Sequence, residues 1–287
     1  MNIEAEVLHN RLLSMMKSFH NFCEDNNIRY YMIGGTALGA IRHKGFIPWD
    51  DDVDIGVPRP DYEKLLTLES QLPKGLEFLY YKNTSESPVH YVKLVDSNTT
   101  LIERFYLNLV EGLYIDVFPL DGANSGGIFE KIRQERIFEL YRRIQWHCDT
   151  GKKEGLLRNI YKKYCQSLDL EKLHKKLERI IAKVPYGDGD YVINFMGSYR
   201  KKEFIPTNCF GKPTLYPFED SMFYAPEKSE KYLTMIYGDY MVLPPKEKRV
   251  FYHGYHYINL DLPYREYIED KKSDSKSLPI RQNENSK

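Results

Sequence analysis

The hydrophobic pattern changes its period several times along the chain, and each period predicts a kind of element. Apolar residues at helical spacing between positions 5 and 25 predict an amphipathic helix that ends at Asp25. Nearly continuous apolar runs predict buried strands at 29–33 and 113–118. Shorter strands are predicted at 76–81, 90–95 and 101–103. The first part of the chain therefore mixes helices with strands.

Four aspartates stand within five positions, at Asp50, Asp51, Asp52 and Asp54. In a strand, Asp52 and Asp54 share one face while the residues between them face the core, so both carboxylates are predicted to point into a cleft. Two carboxylates about 4 Å apart repel by about 4 kcal/mol at an effective dielectric of about 20. A basic side chain or a metal ion must offset that repulsion. An EF-hand calcium loop is disfavoured, because its sixth position would be Ile55 instead of glycine.

Two features outside the aspartate run add to the predicted site. Gly34 and Gly35 follow the first predicted strand, and glycines let backbone amides approach a ligand closely. Thr36 is predicted to cap the next helix, whose N-terminus favours phosphate, although a tight turn without a ligand also explains the glycines. Asp116 is a lone charge in an apolar strand, where a carboxylate is costly unless it is paired or metal-bound. A salt bridge, a cap and a third metal carboxylate all stay open.

After Asn124 the pattern becomes helical and strongly charged. Helices are predicted at 128–147, 156–165 and 170–183. Their many lysines and arginines fit either a solvated face or a basic face toward an anionic polymer or membrane. Farther along, the pattern predicts strands at 190–196, 204–206 and 215–218, a helix from Pro226 to Tyr237, and a disordered polar tail from Lys271.

These changes of pattern predict a division of the chain. Residues 1–122 are predicted to form a first unit, residues 123–186 a helical subdomain, residues 187–270 a further unit and residues 271–287 the tail. Asp121 is assigned, with Gly122, to the turn at which the first part ends.

Composition limits the classes of function. The chain has 287 residues and a net charge of zero, so it lacks the overall basic field of a nucleic-acid-binding protein. No pair of its four cysteines has C-x-x-C spacing, which disfavours zinc and favours buried thiols. The first ten residues lack a signal-peptide pattern, and no long apolar segment predicts a membrane-spanning helix. We expect a cytoplasmic protein with reduced thiols.

The segment GGTALGAIRHKGFIPWDDDVDIG, from Gly34 to Gly56, resembles the LicD family of phosphotransferases, which also includes the fukutin-related proteins. The segment YGDYMVLPP at 237–245 resembles a second landmark of that family, and the segment 93–100 a weaker third. The resemblance spans most of residues 30–255. It implies an α+β fold with a nucleotidyltransferase-like mixed sheet flanked by helices, and an inserted helical subdomain. It implies as well that residues 1–122 are the catalytic core and that residues 187–270 complete the catalytic domain and its substrate cleft.

The resemblance also implies roles for particular residues. Asp52, Asp54 and Asp116 match the three acids of the superfamily, and they are expected to be the catalytic residues and to bind Mg²⁺, with two ions expected and Mn²⁺ as a substitute. The residues expected to contact phosphate are Gly34, Gly35, Thr36, Arg42, Lys44 and Lys93. Trp49 and Tyr240, with Tyr91 and Tyr237, are candidates for an aromatic cage around a quaternary ammonium.

The substrates implied by the resemblance are a CDP-linked donor and a glycan acceptor. The expected reaction transfers phosphocholine from CDP-choline to a sugar hydroxyl of a teichoic acid or lipopolysaccharide precursor. Transfer of ribitol phosphate from a CDP donor and nucleotidyl transfer from a nucleoside triphosphate are the alternative reactions. A binding protein on a degenerate fold is a further alternative, which the presence of all three acids disfavours. A lipid-linked acceptor would hold the protein peripherally at the inner face of the cell membrane.

Overall fold

The structure is a computed structural model that describes residues 5–84, 87–103, 106, 109–125, 127–149, 155–250 and 255–277. The helices in these ranges are α1 (Ala5–Asp25), α2 (Gly34–Arg42), α3 (Arg59–Thr67), α4 (Ile128–Cys148), α5 (Leu156–Gln166), α6 (Leu170–Ile181), α7 (Thr207–Phe210), α8 (Ser229–Tyr237) and α9 (Tyr264–Ser277). The strands are β1 (Tyr31–Met32), β2 (Asp54–Pro58), β3 (Leu76–Leu79), β4 (Val92–Asp96), β5 (Thr100–Glu103), β6 (Tyr114–Ala123), β7 (Tyr191–Ile193), β8 (Ile205–Pro206), β9 (Thr214–Phe218), β10 (Ser221–Ala225) and β11 (Tyr255–Asn259).

The main sheet is mixed and has the strand order β1-β2-β6-β4-β3. The pair β2–β6 is parallel, and the other pairs of this sheet are antiparallel. The long strand β6 continues past the sheet centre and pairs there with β7, which in turn pairs with β8. Two small antiparallel pairs, β9–β10 and β5–β11, complete the strands. The predicted α+β class is thereby confirmed.

Helix α1 forms where the sequence predicted an amphipathic helix. Its apolar stripe is buried in the main core, because residues three and four apart lie on one face of a helix. Three helices of the central region, α4, α5 and α6, also lie where the charged helical pattern predicted them. Among the residues that the structure describes, no helix is both long enough and apolar enough to cross a membrane.

Several predicted elements differ from the observed ones. The first strand is only two residues long, and α2 starts at Gly34 rather than after Thr36. Thr36 therefore does not cap α2 but lies inside its first turn, so that prediction is wrong. Strand β2 begins at Asp54, which leaves Asp52 just outside the strand. Asp121 is not in a turn: it lies within β6, pairs with Ile193 and binds Arg59 at 2.8 Å.

The C-terminal part contains two further differences. Residues around Pro226 belong to the end of the β9–β10 hairpin and a turn, and α8 starts only at Ser229. It ends at Tyr237, as predicted, because Gly238 adopts the left-handed conformation with φ of 75°. The tail predicted from Lys271 overlaps the end of α9, which continues to Ser277. The remaining residues 278–287 lie outside the described part of the chain.

Candidate active site

The parallel pairing of β2 with β6 aligns two of the predicted acids. Asp54 lies directly opposite Asp116 in the register of these strands. The pairing begins one residue earlier, where the Asp116 amide donates to the Val53 carbonyl at 2.9 Å. Neighbouring residues of paired strands point to the same face of a sheet, so these two carboxylates leave the sheet together. Two acids 62 positions apart in sequence thus become neighbours.

The first turn of α2 holds Asp54 from the other side. The Asp54 amide donates to the Thr36 hydroxyl at 2.8 Å, so the buried Thr36 orients the first residue of β2. Gly34 has φ of +54°, and a Cβ there would lie 2.7 Å from an Asp54 carboxylate oxygen. Only glycine satisfies both the left-handed backbone and the close approach. The glycine pair therefore makes room for the acids, whatever else it contacts.

A cavity of about 710 Å³ opens in front of these acids. Its lining combines the N-terminus of α2, the aspartates, one side of α4 and the segment after β7. The polar and aromatic lining residues are Trp49, Asp50, Asp52, Asp54, Tyr91, Asp116, Phe118, Tyr141, Gln145, Asn194, Ser198, Tyr199, Glu203, Tyr237 and Lys248. Lys248 is the one basic side chain among the described residues that line it. The cavity therefore carries a strong excess of acidic groups.

Electrostatics in the cavity favour a bound cation. Burial raises the pKa of Asp54 well above its ordinary value, and the neighbouring carboxylates of Asp52 and Asp116 raise it further. A positive ion among these groups would remove the repulsion that raises the pKa. The donors are carboxylate oxygens, which are the ligands that magnesium and calcium prefer. The residues present therefore fit a divalent cation.

A second arrangement of acids lies beside the first. Side-chain oxygens of Asp50, Asp51 and Asp52 all lie within 4.8 Å of one another, and no other potential metal-ligand trio in the described ranges is so close. Asp51 is buried away from the cavity, and Asp50 and Asp52 line it. Asp52 thus belongs to both groups. The sequence analysis noted Asp50 and Asp51 in the aspartate run but did not include them in the predicted metal site.

The predicted phosphate-binding cations do not line the cavity. Arg42 donates to the Tyr240 carbonyl at 2.7 Å and to the His43 ring at 2.9 Å. Lys44 is exposed in the turn after α2, with a left-handed backbone. Lys93 is buried, and its ammonium binds Glu111 at 2.5 Å and Glu103 at 2.9 Å.

Those contacts limit what each cation can do from its present position. The prediction for Lys93 overlooked its two glutamates, which stand ten and eighteen positions later in the chain. A phosphate role for any of the three has no geometric support here.

Most of the aromatic candidates, in contrast, line the cavity. Trp49, Tyr91 and Tyr237 line the cavity, and Tyr240 does not. The Tyr91 hydroxyl donates to an Asp116 carboxylate oxygen at 3.3 Å, which ties one aromatic ring to the acids. The Trp49 ring packs edge-on against His43, with ring centroids 6.0 Å apart. Three of the four predicted rings therefore surround one space.

Sequence reasoning missed several lining residues that come from α4 and from the segment after β7. Tyr141 and Gln145 project from α4, so the central helical region contributes to the cavity. Asn194, Tyr199 and Glu203 come from the segment after β7. Glu203 is buried, and burial raises its pKa to about 7, against an opposing hydrogen bond from the Tyr199 backbone. The one signal for Glu203 in the sequence was its position directly after three basic residues.

Comparison with known proteins agrees with the resemblance that the motif indicated. Residues 27–143 match the sequence model described as LicD/FKTN/FKRP, nucleotidyltransferase domain. The chain is 29% identical over 256 residues to the lipopolysaccharide cholinephosphotransferase LicD of Haemophilus influenzae, which covers 84% of this chain and 92% of that protein. A stretch of 34 residues is 53% identical to human ribitol 5-phosphate transferase FKRP, covering 12% of this chain and 7% of that protein.

These similarities confirm the predicted class of protein, a phosphotransferase enzyme. The predicted resemblance to the LicD family is confirmed, because residues 27–143, which match the LicD/FKTN/FKRP model, include the motif from Gly34 to Gly56. Both the glycine turn and the acids Asp52, Asp54 and Asp116 lie inside the matched region, and Glu203 lies outside it.

Proposed function

We propose that the chain transfers phosphocholine from CDP-choline to a sugar hydroxyl of a cell-surface glycan precursor, of the teichoic acid or lipopolysaccharide type. The similarity to the Haemophilus LicD enzyme over most of both chains supports this choice of transferred group. The observation that carries it most is the parallel register of β2 and β6, because it sets Asp54 opposite Asp116 at a cavity that Asp52 also lines. We further propose that the mixed sheet is a nucleotidyltransferase-like fold.

The three aspartates are the proposed catalytic and metal-binding residues. Magnesium bound by Asp52, Asp54 and Asp116 would neutralise the donor diphosphate and polarise the reacting groups, and manganese would substitute for it. Within the chain, Thr36 and Gly34 hold Asp54 in place, and Tyr91 orients Asp116. Such fixed positions matter because transfer between phosphates and hydroxyls depends mainly on alignment and charge stabilisation.

Aromatic rings supply the proposed contact with choline. Trp49, Tyr91 and Tyr237 line one cavity together with Tyr199, and rings around a quaternary ammonium attract it through their negatively polarised faces. Lys248 is in position to meet a phosphate oxygen. Gly35 offers a backbone amide in the first turn of α2, where amides lack an intrahelical acceptor.

Five of the residues predicted to bind substrate do not line the cavity, and their roles stay predictions. They are Thr36, Arg42, Lys44, Lys93 and Tyr240.

Two other reactions fit the same acids. The short match to the human ribitol 5-phosphate transferase makes ribitol phosphate a second candidate for the transferred group. Nucleotidyl transfer from a nucleoside triphosphate would use the same three carboxylates. A lipid-linked glycan acceptor would bring the enzyme into peripheral contact with a membrane, and nucleic acid is not an expected partner.

A donor screen separates these reactions. The protein is incubated with CDP-choline, CDP-ribitol or ATP, each with Mg²⁺ or a chelator, and the released nucleotide is identified by chromatography. Release of CMP from CDP-choline that depends on a divalent cation supports the proposal. CMP from CDP-ribitol alone would favour the second reaction, and pyrophosphate from ATP the third. Product release that the chelator leaves unchanged would exclude the metal role of the aspartates.

A further inference from the structure

Helices α4 and α6 form an exposed groove remote in sequence from the aspartate motif. The groove encloses about 550 Å³ between the first turns of α4 and the last turns of α6. Two large apolar side chains of α4 lie in it and face solvent, since Phe129 is 85% and Ile132 56% exposed. The adjacent Ile128 is 65% exposed. Contiguous exposed apolar side chains on a protein mark an interaction surface more often than isolated ones do.

Basic side chains surround these apolar residues. Four exposed basic residues line the groove: Arg136, Lys176, Arg179 and Lys183. Within the described part of the chain, none of the four forms an ion pair with an acidic residue. The acid in the groove, Glu130, binds Arg133 at 2.5 Å and is thereby neutralised. The groove is therefore locally positive, although the whole chain has a net charge of zero.

The combination of these side chains identifies the partner. Basic residues attract any anionic surface, but an acidic polymer in water gives no reason to expose Phe129 and Ile132. An anionic bilayer satisfies both groups, because apolar side chains enter the interface while lysine and arginine meet the headgroup phosphates. We propose that the α4–α6 groove docks on the surface of an anionic phospholipid bilayer, with Phe129 and Ile132 inserted and the four basic side chains at the headgroups.

One helix connects this docking face with the proposed active site. Tyr141 and Gln145 of α4 line the cavity, and Phe129 lies three turns nearer the N-terminus of the same helix. Twelve residues of α-helix span about 18 Å, so a docked α4 holds the cavity within reach of the bilayer. The inference deepens the proposed function by placing a lipid-linked acceptor there. Vesicle binding needs neither donor nor acceptor, so its failure is distinct from failure of the transfer reaction.

Vesicle binding by the full chain tests the proposal. Cosedimentation is measured with phosphatidylcholine vesicles that contain or lack phosphatidylglycerol, at low and high salt. We expect binding only to the anionic vesicles, weakened by salt. The pair Arg136→Gln and Lys183→Gln should weaken it by about 30-fold, since each basic side chain at an anionic surface contributes roughly fivefold. Phe129→Ser should weaken it by about tenfold through lost apolar burial.

A matched double variant controls for net charge. Lys172→Gln with Lys175→Gln removes two exposed lysines from helix α6, and neither of them lines the groove. This control should bind vesicles as the natural chain does. If the control variant loses as much vesicle binding as the test variant, the effect arises from net charge alone and the proposal is overturned. Absence of binding to anionic vesicles would also overturn it. Unchanged binding by Phe129→Ser, together with equal binding to an acidic polysaccharide, would assign the groove to an acidic polymer instead.

Discussion

Two groups of carboxylates, one around Lys93 and one at the cavity, differ in their counter-charge. Around Lys93, two glutamates lie within 2.9 Å of one ammonium. Burial alone would lower the pKa of Lys93, but the carboxylates of Glu103 and Glu111 outweigh burial and raise it. Around the cavity, Asp54 has acidic neighbours instead, and burial with Asp52 raises the pKa of its carboxyl. Lys93 and Asp116 even face each other across β4 and β6.

This difference in counter-charge distinguishes carboxylates that stabilise the fold from carboxylates that bind a ligand. A carboxylate pair that supports the fold receives its cation from the chain, so the cluster at Lys93 is complete without a ligand. Acids that line a cavity with a single basic side chain, Lys248, gain most from a cation that arrives with the substrate. Replacing members of the two groups should therefore have opposite consequences: loss of stability at the first, and loss of activity at the second.

The largest expected effect is loss of turnover in Asp54→Asn. Transfer activity should fall by about 10³-fold or more, the order seen when a group that stabilises transition-state charge is removed. Stability should stay equal or rise, because the change removes a carboxylate that burial and Asp52 disfavour. Activity is measured in the donor assay and stability by thermal unfolding. The exposed Asp220→Asn is the matched control, and near-natural turnover in Asp54→Asn would contradict the metal site.

Lys93→Met tests the compensated group. It leaves the buried Glu111 and the partly buried Glu103 without their cation, and breaking a buried ion pair by removing one partner costs about 3–5 kcal/mol. Denaturant unfolding measures the loss. Lys82→Met is the control, because its pair with Glu178 is half-exposed and such pairs contribute about 1 kcal/mol or less. If both variants lose the same small amount, Lys93 does not stabilise the fold and is available for substrate.

Glu203→Gln examines a carboxyl of the cavity that the motif does not contain. Burial raises the pKa of Glu203 from 4.5 to about 7, so the folded state prefers the protonated form. That preference stabilises the fold below about pH 4.5 and is lost as the pH rises to about 7, a change on the order of 3 kcal/mol. The variant, which cannot ionise, should lack this pH dependence.

Urea unfolding at several pH values, with the exposed Glu171→Gln as control, checks the Glu203 prediction. Parallel pH profiles of the natural chain and Glu203→Gln would show that Glu203 ionises freely in the fold.

Local patterns were enough to find the three aspartates. The isolated charge of Asp116 and the spacing of Asp52 and Asp54 are both visible within a few residues. The same reasoning did not find the ion pairs of Lys93, because the glutamates that bind it come from another strand and from a loop. It also missed Glu203 and Tyr199, whose segment reaches the cavity only through the pairing of β7 with the end of β6.

Errors in the predicted elements have similar causes. Asp121 was assigned to a turn because it precedes a glycine, whereas its partner Arg59 stands 62 positions earlier. Gly34 and Gly35 lie inside helix α2 and do not separate it from the strand before it. Glycine is needed at position 34 because of the close approach to Asp54. Charge partners and close approaches depend on the tertiary structure. Propensity and periodicity describe only neighbours in sequence, which is why these assignments failed.

The smallest expected effect is stabilisation by the cation itself. If the acids of the cavity bind magnesium in the folded state only, a concentration about 100 times the dissociation constant should stabilise the chain by about 2.7 kcal/mol. Thermal unfolding with magnesium chloride or with a chelator measures this gain. Asp54→Asn should gain much less, whereas Lys93→Met, whose change lies in the compensated group, should gain as much as the natural chain. An equal gain in Asp54→Asn would locate the cation elsewhere, with the Asp50, Asp51 and Asp52 trio as the next position to replace.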